Sequence, residues 1–359
     1  MRCLAGLLVV FSSLLVAPVA MLVARAQQAP AIPTTVPEKW GAWCARCHAP
    51  DGSGKVAEPT VRVEPMDFTD CRVASAEPDA DWEVAIAHGG PAVGLSAEMP
   101  AFGDVLTPAE IQEFVKLIRG FCAERGWPSG NLNLPRPIFT EKAFPENEIV
   151  LLPEVSHRRD EAAGAAFRAV YERRVGRRGQ VEAVLPFASA PGPGRETGVG
   201  DIELGVKYAL TPGAGSYLLS GGFDVKMPTG SEARGLGDGT TVFEPYLAAA
   251  TVAGGTYLQG QVKLELPRRA PWRDRETVYH LYAGRDTGIF PDTWTIGVEL
   301  SGENRELALT PQIRKGLTRT GALGAAFGVR LPLNEREEQG IRWVGYLLWE
   351  YLEPVRARR

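Results

Sequence analysis

Cys44-Ala45-Arg46-Cys47-His48 is the stretch of this 359-residue chain whose residue types and spacing spell out a specific chemistry. Two thiols three positions apart lie one helical turn from each other, and the next residue is an imidazole that can ligate a metal. Thiols so placed can add covalently to the vinyl groups along one porphyrin edge while the imidazole takes the iron. This is the attachment pattern of a c-type haem. A zinc site would need a second pair of ligands at comparable spacing, and none follows. A thioredoxin-type redox pair would need a βαβ context, which is also absent.

The second axial position needs a ligand from downstream. Met66, Met99, Met227 and His88 are the candidates, and Met99 stands out within Ser96-Ala97-Glu98-Met99-Pro100-Ala101-Phe102. Just beyond it, Thr107 reads as a helix N-cap, Pro108 suits the first helical position, and Glu110 completes a capping box. Ile111, Phe114, Val115, Ile118 and Phe121 then recur at helical spacing, which gives that helix an apolar face. With these features residues 38–126 resemble the small class I cytochromes c, in which a helix carries CxxCH, a loop carries Met-Pro-x-Phe, and a last helix closes the fold. The resemblance implies a small all-α domain with Cys44 and Cys47 bound to one haem c and His48 and Met99 as axial ligands. A filled coordination shell implies one-electron transfer with a periplasmic donor or acceptor protein, not catalysis. Cys71 and Cys122 are extra to the simplest family pattern.

The start of the chain addresses it to an oxidising compartment. Arg2 precedes an uncharged apolar run from Leu4 to Val23, and Ala24-Arg25-Ala26 offers a small-x-small cleavage site, so residues 1–26 read as a signal peptide, with an uncleaved anchor as the alternative. In that compartment the even remainder, Cys71 and Cys122, suggests one disulfide, with two buried free thiols as the alternative. The net charge of −4 argues against nucleic acid as a partner. Forty Gly and twenty-eight Pro favour turns and β-structure over long helices.

Residues 127–145 are rich in Pro, Gly and Asn and read as a linker. Beyond them the hydrophobic period drops to two. In Ile202 to Leu210 the even positions are apolar or aromatic, and Leu258 to Leu266, Trp294 to Leu300 and Leu323 to Leu331 repeat the device. About twelve such segments follow one another between Glu148 and Leu352, joined as hairpins. Two architectures fit: a soluble sandwich or barrel with its apolar face inward, and an outer-membrane barrel with that face on lipid. Strand number, strand length and the aromatics Tyr208, Tyr217, Tyr246, Tyr257, Trp294, Trp343, Trp349 and Tyr351 near strand ends favour the membrane. Phe167-x-x-x-Tyr171-Glu172, Val181 to Pro186, Gly198 to Ile202 and Lys226-Met227-Pro228-Thr229-Gly230 resemble outer-membrane proteins of the phenol meta-degradation-pathway type. That resemblance implies a barrel and passage of small organic molecules. The run past Tyr351 to Arg359 departs from barrels that finish on an aromatic residue.

The expectation is a two-domain, exported protein. A small all-α cytochrome c domain (38–126) precedes an all-β antiparallel up-and-down barrel of about 12 strands (146–359) in contact with outer-membrane lipid. The expected function is one-electron transfer by a haem c displayed in the periplasm, with the barrel as its tether and no enzymatic activity. The alternatives are a soluble periplasmic cytochrome fused to a β-rich binding domain and a redox-sensing small-molecule pore.

Overall fold

The computed structural model describes residues 32–351 apart from 59, 158–162, 190–196, 212–214, 270–274, 289–292 and 335–339. The expected signal peptide, residues 1–26, lies outside the described residues.

The first part is a small helical unit. A short helix, α1 (Val36–Lys39), passes through a π turn over Trp40–Cys44 into α2 (Ala45–His48). Then come α3 (Cys71–Ala74), α4 (Asp79–His88) and α5 (Pro108–Phe121). The Thr107–Glu110 capping box forms at α5. Ile111, Phe114, Val115 and Ile118 pack with Trp40, Trp82 and Ile86 into one apolar core, so period and cap together fix this helix. Cys71 and Cys122 are disulfide-bonded, with Cα atoms 5.1 Å apart, which ties the start of α3 to the end of α5.

The second part is a closed antiparallel barrel. Its strands are β1 (Glu148–His157), β2 (Gly164–Val175), β3 (Gly179–Ser189), the short β4 (Thr197–Val199), β5 (Glu203–Ala209) and β6 (Tyr217–Lys226). They continue with β7 (Val242–Ala253), β8 (Thr256–Pro267), β9 (Glu276–Thr287) and β10 (Trp294–Glu303). β11 (Glu306–Gly316), β12 (Leu323–Pro332) and β13 (Ile341–Glu350) complete the set. Each strand pairs with its neighbour in sequence, except that β3 pairs with both β4 and β5, and β13 pairs back onto β1. With β4 a three-residue offshoot of β3, twelve strands form the ring, as the alternation predicts.

Polarity is inverted relative to a soluble barrel. Val206, Phe223, Leu247, Val262, Leu281 and Ile296 point outward and are exposed, while Glu148, Glu172, Glu244, Glu299 and Lys207 point inward and are buried. A closed ring pairs every strand edge, and an apolar exterior needs a non-aqueous surrounding, so this is a membrane-spanning barrel of the outer-membrane type. Tyr208, Tyr217, Trp294 and Trp349 are exposed at the end that carries the helical unit, and Phe167, Phe187 and Trp343 toward the other. Tyr246 departs from the expected girdle. It is buried inside the barrel with Leu218 and Ala248.

Residues 127–147 do not form an external spacer. They run into the barrel and back out, filling the half nearer the helical unit. Four prolines (Pro128, Pro135, Pro137, Pro145) lower the number of backbone N–H groups that need partners there. Leu132, Leu134, Ala143 and Phe144 pack against Ala209, Leu218 and Tyr246, and Ile138 packs against Val150, Leu152 and Val344.

Candidate functional site

The lumen is built around a row of carboxylates. Glu350 pairs in register with Glu148, Glu148 with Glu172, and Glu172 with Glu182, across four adjacent strands. The row continues through Gly205 to Asp224 and Glu244. Like charges in directly opposed positions repel, and burial sharpens the repulsion. The inserted segment supplies the compensation. Arg136 Nη1 donates to Glu148 at 3.0 Å and to Glu172 at 2.8 Å. Lys142 Nζ donates to Glu146 at 2.7 Å and Glu148 at 3.0 Å.

The segment's backbone is equally accounted for. Glu299 of β10 accepts the backbone N–H groups of Phe139 and Thr140 and the Thr140 hydroxyl, and Gln312 Nε2 donates to it at 2.9 Å. Lys207 Nζ donates to Glu141 at 2.6 Å and to the Lys142 carbonyl at 2.7 Å. Gln259 Nε2 donates to the Pro135 carbonyl, Tyr346 Oη to the Arg136 carbonyl, and Ser220 Oγ to the Ala143 carbonyl. Residues 127–147 are thus a fitted plug.

Sequence reading missed this set. The signal available was a cation-bearing, proline-rich stretch, Arg136 to Lys142, placed before strands whose polar face carries Glu148, Glu172, Glu182 and Glu299. Beyond the plug tip, on the side away from the helical unit, a cavity of about 240 Å³ remains, with Phe139 on its floor and Arg168, Glu203, Asp224 and Arg330 among its walls.

The predicted iron-binding residues lie together in the helical unit. Cys44 closes the π turn and Cys47 lies in α2; both are half-buried and neither is in a disulfide. Burial, reinforced by neighbouring Cys47, pushes the Cys44 thiol up to about 11. His48 stacks on Phe68 with ring centroids 4.8 Å apart. Its Nδ1 is buried against the Met66 backbone with no hydrogen bond of normal geometry, and burial holds the imidazole below its ordinary range. Met66 packs against the helical core. Met99 is half-buried, and its carbonyl accepts from Gly90 N–H at 3.1 Å. A Cβ at Gly90 would meet the Ser96 carbonyl at 2.1 Å, so glycine there is what lets the Met99 turn approach α4. Trp43, beside Cys44, stacks on Phe102, three residues past Met99, at 6.3 Å and 15°. That stack joins the segment of Met99 to the segment of the two thiols. His88, at the end of α4, is exposed.

The helical unit and barrel are bonded at the plug end. Asn131 Nδ2 donates to Asp79 Oδ2 at 2.7 Å and Asn131 Oδ1 accepts from the Asp79 backbone N–H at 2.8 Å, while Asn133 Nδ2 donates to the Ala76 carbonyl at 3.1 Å. Arg177 and Arg178, in the β2–β3 turn, donate to the carbonyls of Arg125 and Gly126.

No family model matches the chain, and no curated protein does. Solved structures are similar in part. An outer-membrane channel from Pseudomonas putida F1 is 13% identical over 61% of this chain and 100% of its own, with a TM-score of 0.47. The KdgM porin is 12% identical over 57% and 99%, with a TM-score of 0.41. The NanC porin is 9% identical over 57% and 100%, with a TM-score of 0.40. The expectation that the chain is a one-electron relay, with the barrel only as its tether, is corrected here. The barrel has a built polar interior occupied by the chain's own plug, and the solved structures named are porins and a channel, not haem electron carriers.

Proposed function

We propose that the protein is an outer-membrane pore for small organic solutes, closed in this state by residues 127–147 and redox-responsive through its helical unit. The observation that carries the pore reading is the inverted polarity of a closed twelve-strand ring around a charged lumen. A mere anchor would need the apolar exterior but not a charged interior fitted to an inserted segment.

The residues of the helical unit fit a covalently attached haem c. Two thiols on one helical segment stay out of the disulfide that takes the other two described cysteines, and the imidazole beside them turns its Nδ1 to the Met66 backbone. Cys44 and Cys47 would hold the porphyrin edge, and His48 and Met99 would ligate the iron. When bound, the group supplies a one-electron redox change. The helical unit and the plug are one continuous stretch of chain, and Asn131 and Asn133 bond the plug's entry to α4 and its preceding loop. A rearrangement in the helical unit would be passed to the plug by that route. This makes the protein a regulated transport device with no enzymatic step.

The test is planar-bilayer recording of the full-length protein, with heat-modifiable gel mobility to confirm a folded barrel. Discrete KCl current steps whose open fraction differs between ascorbate-reduced and ferricyanide-oxidised protein are expected. A folded barrel that stays silent in both states, also when the plug is loosened by Arg136→Ala, overturns the pore.

A further inference from the structure

We propose that the cavity beyond the plug tip is a binding vestibule for a small zwitterion with an apolar body, the chemistry of an amino acid with a hydrophobic side chain; this rests on the pore reading and names its solute class. The cavity's arginines and most of its carboxylates come from different arcs of the ring. Arg168 on β2, Arg330 on β12 and Arg342 on β13 line it from strands grouped around β1. Glu182 on β3, Glu203 on β5, Asp224 on β6, Glu265 on β8 and Glu303 on β10 line it from the rest of the ring, with Lys263 of β8 among them. A lumen polarised in this way orients a dipolar solute across its axis. An inorganic ion of either sign would satisfy one wall and leave the other unmet.

The partners of these groups are only partly within the protein. Arg342 donates to Glu154 at 3.3 Å, and Lys263 is paired with Glu244. Arg168 and Asp224 form no hydrogen bond or ion pair among the described residues. Asp224 is only 7% exposed. Its Oδ1 lies so close to Gly205 that a Cβ there would come within 2.3 Å of it. A buried carboxylate with no donor is costly, and a ligand ammonium is a donor of the right charge and size. Carboxylate oxygens of Glu203, Asp224 and Glu244 lie within 4.8 Å of one another; with Glu244 taken by Lys263, Glu203 and Asp224 are the pair that faces the cavity for a ligand ammonium. Arg168 on β2, two strands round the ring from Glu203, offers a guanidinium that suits a carboxylate. Apolar side chains are interspersed with these polar groups. Phe139 at the plug tip, with Val170, Val184 and Val278, forms a surface on which a hydrocarbon or aromatic body can lie.

The solute would therefore rest its body on the plug itself. Phe139 is the residue whose backbone N–H is held by Glu299, so occupancy bears directly on the segment that closes the lumen.

The test uses the full-length protein in detergent micelles, titrated calorimetrically with L-phenylalanine, 3-phenylpropionate and 2-phenylethylamine, with KCl currents recorded in parallel. These probes share one aromatic body and differ in which charges they carry. L-Phenylalanine is expected to bind about tenfold or more tighter than either singly charged analogue. Asp224→Asn should abolish its advantage over 3-phenylpropionate, and Arg168→Gln its advantage over 2-phenylethylamine, each checked for heat-modifiable mobility. Should Asp224→Asn fail to fold, Glu203→Gln reads the same wall. Equal affinities for the three probes, or an L-phenylalanine affinity that neither substitution moves, would overturn the proposal. The expected order in protein that passes no KCl supports the vestibule and overturns the pore; KCl current with no discrimination overturns the vestibule alone.

Discussion

Arg136 and Glu148 form a buried ion pair at 3.0 Å in which the arginine belongs to the plug and the glutamate to the first barrel strand. The same guanidinium nitrogen reaches Glu172, which faces Glu148 across the β1–β2 pair. One plug cation thus holds two wall carboxylates that would otherwise repel. Removing one member of such a buried set leaves uncompensated charge and costs about 3–5 kcal/mol.

Arg136→Ala should therefore loosen the plug more than it harms the barrel, whose strand ladder does not depend on it. Single-channel recording is expected to show larger or more frequent openings than in the unmodified protein, with heat-modifiable mobility retained. Openings that occur in the unmodified protein and are unchanged in the variant would show that the plug is held by its other bonds, to Glu299 and Lys207.

Strand count and strand polarity were legible because period two is a local property. Ile202 to Leu210 announces its two faces without reference to any other segment. Which face meets lipid was not local; it shows only in the closed ring, where Val206 and Leu281 point out and Glu148 and Lys207 point in. The capping box at Thr107 and the apolar face of α5 were legible for the same local reason. The plug was not, because its partners Glu148, Glu172 and Glu299 lie 12, 36 and about 160 residues away from the residues they bind. Tyr246 failed as a girdle residue because proximity to a strand end does not say which way a side chain turns; its even position on β7, shared with Glu244 and Ala248, does.

Leu281 lies mid-strand on β9 and is 55% exposed. On a soluble barrel Leu281→Arg would be nearly neutral. On a membrane barrel an arginine near the bilayer midplane costs about 2–4 kcal/mol. Reduced yield of heat-modifiable barrel in the outer-membrane fraction is expected for Leu281→Arg and not for Leu281→Phe. Equal yields would place this face in water.

The Cys71–Cys122 bond closes a loop with a sequence separation of 51. Restricting an unfolded loop of that size is worth about 4 kcal/mol in the chain-entropy account. Cys71→Ser with Cys122→Ser should make the helical unit sensitive to limited proteolysis at temperatures where the unmodified unit resists. The barrel, which holds neither residue, should keep its gel mobility. Loss of barrel folding in the same variant would mean that the two parts fold as one.

Glu77, in the loop ahead of α4, is held out of water, and with the charges of Asp81 and Glu146 nearby its carboxyl is pushed up from 4.5 to about 7. The folded state keeps a proton that the unfolded state has lost, so stability is full below about 4.5 and declines as pH rises to about 7, then levels off. The loss is about 1–2 kcal/mol once partial exposure is allowed for. Glu77→Gln should flatten the profile and make the helical unit more stable at pH 8 than the unmodified one. Urea unfolding followed by tryptophan fluorescence at pH 5 and pH 8 reads the difference; a profile unchanged by the substitution would place the dependence on other groups.

Cys44→Ala with Cys47→Ala tests the haem assignment without reference to transport. Haem that stays with the chain through denaturing electrophoresis should vanish in this variant and survive in Met99→Ala, because only the thiols would hold the group covalently. Met99→Ala is instead expected to alter the reduced absorption spectrum and lower the midpoint potential, since thioether ligation favours the reduced iron. An unchanged spectrum and potential would remove Met99 from the iron. Met66 is the weaker substitute, because it presents its backbone to His48 and its side chain to the helical core, whereas Met99 sits on the turn that Gly90 and the Trp43–Phe102 stack draw toward the thiols.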